Sequence, residues 1–396
     1  MSAFDVQFKF ESGVITCSPV GRIDSTNAKN FETAITGFRA QHQNAELVFD
    51  CQELEYISSA GLRVLLSLSK KANVRINLIN VSQGVSNILD VTGFSTIFEV
   101  SRSIRDISGE KGHLMGESAG ISLYRMDNDT ILKLYSKTEK LEEIRKELKY
   151  AKAALLSGVP ALISYDIVSY NGRYGILYEM PNVKTVSSLI VFQQWKLDHY
   201  AKEMGKTLQT IHSCTPEPGI LPDTPQIFTT RALSMDKYFN RDEINTLVSL
   251  IQSIPAASTI VYGNYHPGNV FAMNDELILI NMSGISCGNP VFDLGMSYMI
   301  CVHDADTFIK RVSDIDMLQA KKFWDIMIRN YFDTDDENVI KHHETIIEAV
   351  AMLCSALSPA MGLVSQDDAK RLVEKARRDV LGYSGYMKRL LEEAIF

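Results

Sequence analysis

The stretch Val261-Tyr-Gly-Asn-Tyr-His-Pro-Gly-Asn269, with Leu279-Ile-Asn281 beyond it, decides how this chain is read. Gly263 and the Pro267-Gly268 pair shape a loop after an apolar entry, and the polar side chains Asn264 and Asn269 in it, and Asn281 beyond it, are amides. An amide keeps an acceptor oxygen, but it carries no charge and takes no proton near neutral pH. Such a loop can position and hydrogen-bond a ligand. It lacks the carboxylate that a general base needs.

The chain has 396 residues, enough for two or three domains. It is 45% hydrophobic and 22% charged, the balance of a globular protein with sizeable cores. A formal net charge of −8 argues against a nucleic acid or an anionic membrane as partner. The six cysteines are scattered, with no CxxC pair and no Cys/His cluster, so neither a zinc site nor a disulfide framework is expected. No apolar run reaches the length of a membrane span, and Met1 to Asp5 leads straight into an alternating pattern with no signal-like block. The expectation is a reduced, cytoplasmic protein.

Working outward from the loop, two unequal halves emerge. Phe4, Val6, Phe8 and Phe10 alternate with polar residues, as a half-buried strand does. Residues 14–20 read as a second strand after a turn at Gly13. Asp24 or Ser25 is placed to cap a helix with the apolar face Ala28, Phe31, Ile35 and Phe38. Strand-like segments at 47–49 and 76–81 interleave with helical ones around Leu62–Ser69 and 82–89, which predicts a sheet covered by helices. Residues 101–111 are polar and hold the linker, set at 106–111 between a first domain of residues 1–105 and a second of 112–396. The second opens with a glycine-rich hairpin, a strand carrying Lys133, a charged helix and further strands near Ile163 and Ile176, over 112–182. From 183 to 396 it is mostly helical, with helical periodicity over 317–331 and 368–393. The fold class is therefore α/β followed by α+β.

The segment Asp50-Cys-Gln-Glu-Leu-Glu-Tyr-Ile-Ser-Ser-Ala-Gly-Leu-Arg-Val-Leu-Leu66, with the Gly21-Arg-Ile-Asp24 turn, resembles the STAS domain of anti-sigma-factor antagonists. Serines at a strand-to-helix turn can cap the helix through a side-chain oxygen. A phosphate there would lie beside backbone N–H groups and add about 1.5–2 negative charges. The resemblance implies that Ser59, with Ser58 as the alternative, is phosphorylated by a serine kinase that is also the anti-sigma-factor partner. Ser58 stands where many antagonists carry Asp.

Residues 112 to about 300 resemble the aminoglycoside phosphotransferase and choline kinase-like superfamily, which implies a bilobal protein-kinase-like fold. The resemblance assigns the phosphate-covering loop to 112–120, with Gly116 and Gly120. It assigns the phosphate-contacting lysine to Lys133 and that lysine's ion-pair partner to Glu147, with Glu143 as the alternative. The adenine-binding hinge falls at Glu179 and Met180. The family loop reads His-Gly-Asp, four residues, then Asn. Here Tyr262 and Asn264 replace the His and the Asp, Asn269 is kept, and Asn281 replaces the metal-binding Asp. Asp293 falls in a tail that braces the loop.

Losing a general base typically costs ~10²–10⁴-fold in rate, and Mg²⁺ is usually held through one or two carboxylates plus phosphates. Only Asn269 and Asn281 remain for the ion. The expectation is a signalling regulator of the anti-anti-sigma type. In it a STAS phosphoswitch is coupled to a kinase-like domain that binds ATP, holds Mg²⁺ weakly if at all, and turns over slowly or not at all. The alternative is an active small-molecule phosphotransferase with a regulatory STAS domain. His342-His343 is expected at the surface.

Overall fold

The computed structural model describes residues 4–42, 45–72, 76–118, 120–179, 184–273, 276–279, 281–362 and 364–396. The chain divides into two compact units, residues 1–107 and 108–396.

In the first unit, β1 (Asp5–Glu11) and β2 (Val14–Ile23) form a hairpin whose turn residues Ser12 and Gly13 have φ of 50° and 84°. Along β2 the side chains alternate, burying Ile15, Cys17 and Ile23. The chain continues through α1 (Ala28–Ala40), β3 (Glu46–Asp50), β4 (Leu54–Ile57), α2 (Ser59–Ala72), β5 (Asn77–Val81), α3 (Gln83–Val91) and β6 (Glu99–Arg102). The sheet runs β1-β2-β3-β5-β6, with β4 also on β2, and is parallel beyond the first hairpin. Phe31, Ile35, Phe49, Leu65 and Phe98 pack its core.

Two expectations are corrected here. Neither Asp24 nor Ser25 caps α1: Asp24 Oδ1 accepts from Thr26 N (2.9 Å) and Thr26 Oγ1 (2.6 Å), which closes a local turn and leaves Asn27 as the N-cap, with no side-chain cap bond. The polar stretch from Ser101 is not all linker, because Glu99–Arg102 is the last strand of the sheet.

The second unit begins with an antiparallel sheet of β7 (His113–Ser118), β8 (Ile121–Arg125), β9 (Thr130–Leu134), β10 (Ser164–Tyr170) and β11 (Arg173–Glu179), in the order β10-β11-β9-β8-β7. Helix α4 (Leu141–Leu156) packs on β10 and β11. Next come β12 (Lys184–Thr185), α5 (Val186–Phe192), α6 (Leu197–Ser213), α7 (Thr224–Leu233) and α8 (Arg241–Ser253). Then two small sheets carry the loops of interest. β13 (Thr259–Val261) pairs with β16 (Ser286–Gly288), and β14 (Val270–Met273) with β15 (Glu276–Leu279). Leu279 is bonded on both sides to the segment below the first sheet, donating to Pro160 O (2.8 Å) and accepting from Leu162 N (3.0 Å).

Helices α9 (Val291–Tyr298), α10 (Ala305–Val312), α11 (Met317–Phe332), α12 (Glu337–Leu357), α13 (Gln366–Asp379) and α14 (Ser384–Glu392) complete the unit. The helical pattern expected over 368–393 is broken: a 3-10 turn at Leu381–Tyr383, carrying Gly382, separates α13 from α14. The expectation of no membrane-length apolar segment is also corrected, since Glu337–Met361 is long and apolar enough by length and composition. That segment is mostly buried, and α12 packs against α9, α13 and α14 as the central helix of the lobe. His343 is half-buried rather than on the surface, stacked on Phe332 with ring centroids 4.1 Å apart.

Gly61, one turn into α2, sits where a Cβ would lie 2.6 Å from Ile23 Cγ2 and 2.8 Å from Ile57 Cγ1. Gly61→Ala should destabilise the first unit by roughly 1–3 kcal/mol, the usual cost of overpacking. Thermal unfolding of the full chain should show the earlier loss of one transition.

Candidate functional site

Strand β9 alternates, so Leu132 and Leu134 enter one face and Lys133 the other. Helix α4 brings Glu147 to it. Lys133 Nζ and Glu147 Oε1 are 2.6 Å apart, with both side chains 8% exposed. Glu143 instead pairs with Lys146 on the exposed face of α4. The lysine also donates to Asn281 Oδ1 at 3.2 Å, which joins the first sheet to the loop after β15. The Tyr135 ring lies 5.0 Å from the ammonium. Burial, then the Glu147 carboxylate, pushes the Tyr135 and Tyr178 phenols up and keeps them neutral.

The loop between β13 and β14 hangs from one carboxylate. Asp293, fully buried at the start of α9, accepts from Tyr262 N and Gly263 N, each at 2.6 Å. His212 Nε2 lies 3.1 Å from the same carboxylate, and His212 Nδ1 lies 2.8 Å from the Tyr331 hydroxyl. Two backbone donors on one carboxylate fix the loop's entry far better than neutral contacts would. Gly263 is required: its φ is 83°, and a Cβ would run into Gly284 O. Asn269 Nδ2 donates to Asn264 O (3.1 Å) and to the Tyr262 hydroxyl (3.0 Å), so the two ends of the loop are tied together. Asn264 itself is half-buried. His266 is buried, and burial lowers its pKa from 6.5 to about 4, so it is neutral at physiological pH.

Other predicted positions are placed as follows. Gly116 lies in β7, and Gly120, with φ of 79°, is in the turn between β7 and β8. Glu179 ends β11, and its Oε1 accepts from Ile163 N at 2.8 Å. Met180 lies outside the described residues. In the first unit Ser59 is exposed at the start of α2. Ser58 donates its N–H to Ile23 O (2.8 Å) and accepts from Leu62 N at its carbonyl, while its hydroxyl is buried with no partner among the described residues. Ser58 thus holds the N-cap position by its backbone, and the capping expectation fails only in its side chain, which makes no cap bond among the described residues. The sequence reading missed His212, whose lone position in α6 gives no motif.

Residues 5–107 match the STAS domain family, and residues 122–316 match the phosphotransferase enzyme family. Over 98 residues the chain is 31% identical to BtrV of Bordetella bronchiseptica, named as an anti-sigma factor antagonist; the match covers 24% of this chain and 83% of that protein. The chain belongs to the STAS family and carries a phosphotransferase-family domain after it. Among solved structures, a choline/ethanolamine kinase family protein from Mesorhizobium loti is 12% identical with a TM-score of 0.48, over 72% of this chain and 94% of that one. An anti-sigma factor antagonist from Mycobacterium paratuberculosis is 24% identical with a TM-score of 0.23, over 25% of this chain and 86% of that one.

A phosphotransferase domain implies a nucleotide with Mg²⁺. The buried Lys133 and the glycine-bearing β7–β8 hairpin fit the phosphates of a nucleotide. The amides do not fit the metal. Asn281 Oδ1 already accepts from Lys133 Nζ, from Ser283 Oγ (2.9 Å) and from Ser283 N (3.4 Å), which exhausts an amide oxygen with two lone pairs. Among the described residues no group of three His, Cys, Asp or Glu could hold a metal ion.

Asp293→Asn would turn an acceptor oxygen into a donor facing a backbone N–H of the loop; a loss of roughly 2–5 kcal/mol is expected, read by chemical denaturation. His266 gives a pH dependence. Its folded value of about 4 lies below the ordinary 6.5, so the unfolded chain takes up the proton first. Its contribution is complete above 6.5 and is lost as the pH falls toward about 4, by a few kcal/mol at most. His266→Gln should flatten the stability profile of the phosphotransferase domain across that window.

Proposed function

We propose that this protein is a cytoplasmic signalling regulator of the anti-anti-sigma type. Its STAS domain is the phosphoswitch, and its phosphotransferase domain is a nucleotide sensor with little or no turnover. The reading is carried by the Lys133–Glu147–Asn281 cluster: the lysine is held by its carboxylate in the manner a nucleotide site needs, while the third member is an amide already saturated by protein donors. In this reading Lys133 holds nucleotide phosphates, and the backbone after Glu179, at Met180, holds the base. Asn264 can orient a hydroxyl but cannot take its proton. Ser59, exposed at the N-terminus of α2, is the phosphorylation site. A phosphate there would meet the positive end of the helix and repel an acidic docking surface. The partner is an anti-sigma factor that is also the serine kinase.

A second reading, an active small-molecule phosphotransferase, draws on the Asp293 brace and the Asn269–Asn264 tie, which leave the loop ordered. Phosphoryl transfer is largely positioning and electrostatics, so an ordered loop without a base can retain some rate.

Calorimetric titration of the full chain with ATP, with and without Mg²⁺, separates the two when followed by a hydrolysis assay on the same sample. The regulator reading expects binding that is nearly independent of Mg²⁺, is lost in Lys133→Ala, and comes without hydrolysis. Robust phosphorylation of a small acceptor would sink it. Phosphate appearing on Ser59 by mass spectrometry after exposure to a cognate serine kinase would support the switch, and its absence would count against it.

A further inference from the structure

Helix α2 begins without an acid. Its first turn, from Ser59, holds no Asp or Glu, and the Ser58 hydroxyl makes no cap bond among the described residues. One turn further on, Arg63 stands four residues after Ser59, and both side chains are exposed. Residues at that spacing are neighbours on a helix surface, about 5–6 Å apart at Cβ. Helix side chains lean toward the N-terminus, so the longer of the two, the arginine, reaches back over the serine. Its guanidinium brings a planar fork of N–H donors, the shape that matches a phosphate through two parallel bonds.

A second arginine lies on the strand beside this turn and is occupied otherwise. Strand β2 is tied to the start of α2, since Ser58 N donates to Ile23 O at 2.8 Å. Arg22, next to Ile23, is in register with Tyr56 of β4, and its guanidinium stands over the Tyr56 ring at 4.3 Å. Asp24 on the other side of Ile23 accepts from Thr26 N and Thr26 Oγ1. Those bonds, with Arg22 adding to them, hold its carboxyl below the usual range and keep it ionised. Arg22 therefore has an aromatic ring and an acid beside it. Arg63 is the arginine on the serine's own helix face.

We propose that Arg63 is the internal partner of a phosphate on Ser59, closing its fork over the phosphate oxygens within one turn of α2. The inference rests on the reading of Ser59 as the phosphorylation site and adds how the modified state is held. A phosphate carries about 1.5–2 charges and three acceptor oxygens, so it meets both the fork and the positive end of the helix. Modification then tightens the start of α2 rather than melting it. It also withdraws the Arg63 guanidinium from any docking partner in the same step that adds negative charge. The switch is thereby a local exchange of surface charge on an intact fold.

The test uses the full chain with phosphoserine placed at 59 during translation, so the outcome does not depend on whether a serine kinase reaches the site. Phosphorus NMR follows the second ionisation of the phosphate, ordinarily near ~6. Pairing with Arg63 favours the dianion. The midpoint should therefore lie roughly half a unit lower in the parent than in Arg63→Gln, the worth of a charge-assisted pair at this spacing. Arg63→Lys should keep part of that difference, and about 1 M salt should remove most of it. The helix N-terminus acts equally on parent and variants and cannot produce the difference. Hydrogen exchange of the first amides of α2 should slow on phosphorylation, by about twofold more in the parent than in Arg63→Gln. Equal midpoints in the parent and Arg63→Gln, or faster exchange at the start of α2 on phosphorylation, would overturn the proposal.

Discussion

A buried ammonium with one buried carboxylate is electrically complete, and that sets the character of the phosphotransferase domain. Lys133 and Glu147 are almost wholly removed from water, so their charges must cancel locally. An aspartate at 281 would add a second negative charge to the same cluster and call for a further cation. Asn281 offers the lysine the same oxygen geometry without that charge. The cluster is neutral as it stands, and the Lys133–Asn281 bond holds the loop after β15 to strand β9.

The Asp293 brace does a different task at the other end of the site. It fixes backbone rather than side chains, through the N–H groups of Tyr262 and Gly263. The Gly263–Gly284 approach adds to it: two backbone segments touch where neither has room for a side chain. The order of the loop and its chemistry are thus separable properties.

Much of this was legible in the sequence because it depends on spacing. The alternation of β2, the lysine strand followed by a charged helix, and the Gly263 and Pro267-Gly268 turn each carry a local signature. Choosing Glu147 over Glu143 needed the helix phase, which the structure supplies by leaving Glu143 paired with Lys146 on the exposed face. What stayed hidden depends on long-range packing. His212 reads as an ordinary helix residue until Asp293 and Tyr331 fold against α6. Ser58 reads as a side-chain cap, yet its hydroxyl is buried without a partner among the described residues while its carbonyl takes the first helical bond. The break between α13 and α14 lies in a segment whose apolar period runs on without interruption, and Asp24 looked like a helix start because the turn it makes with Thr26 uses the same side-chain oxygen.

Helix α12 carries a consequence for biosynthesis. Its apolar flank is covered in part by α13 and α14, which follow it in the chain. On a ribosome the helix leaves the exit before its cover has been made, and it is long and apolar enough to resemble a membrane segment. Until residues 366–392 have emerged, the flank of the helix that α13 and α14 cover stays open to its surroundings, while α9 is already there to pack on the other. That interval, rather than any weakness in the finished core, is where this lobe is most exposed to chaperone capture or misassembly.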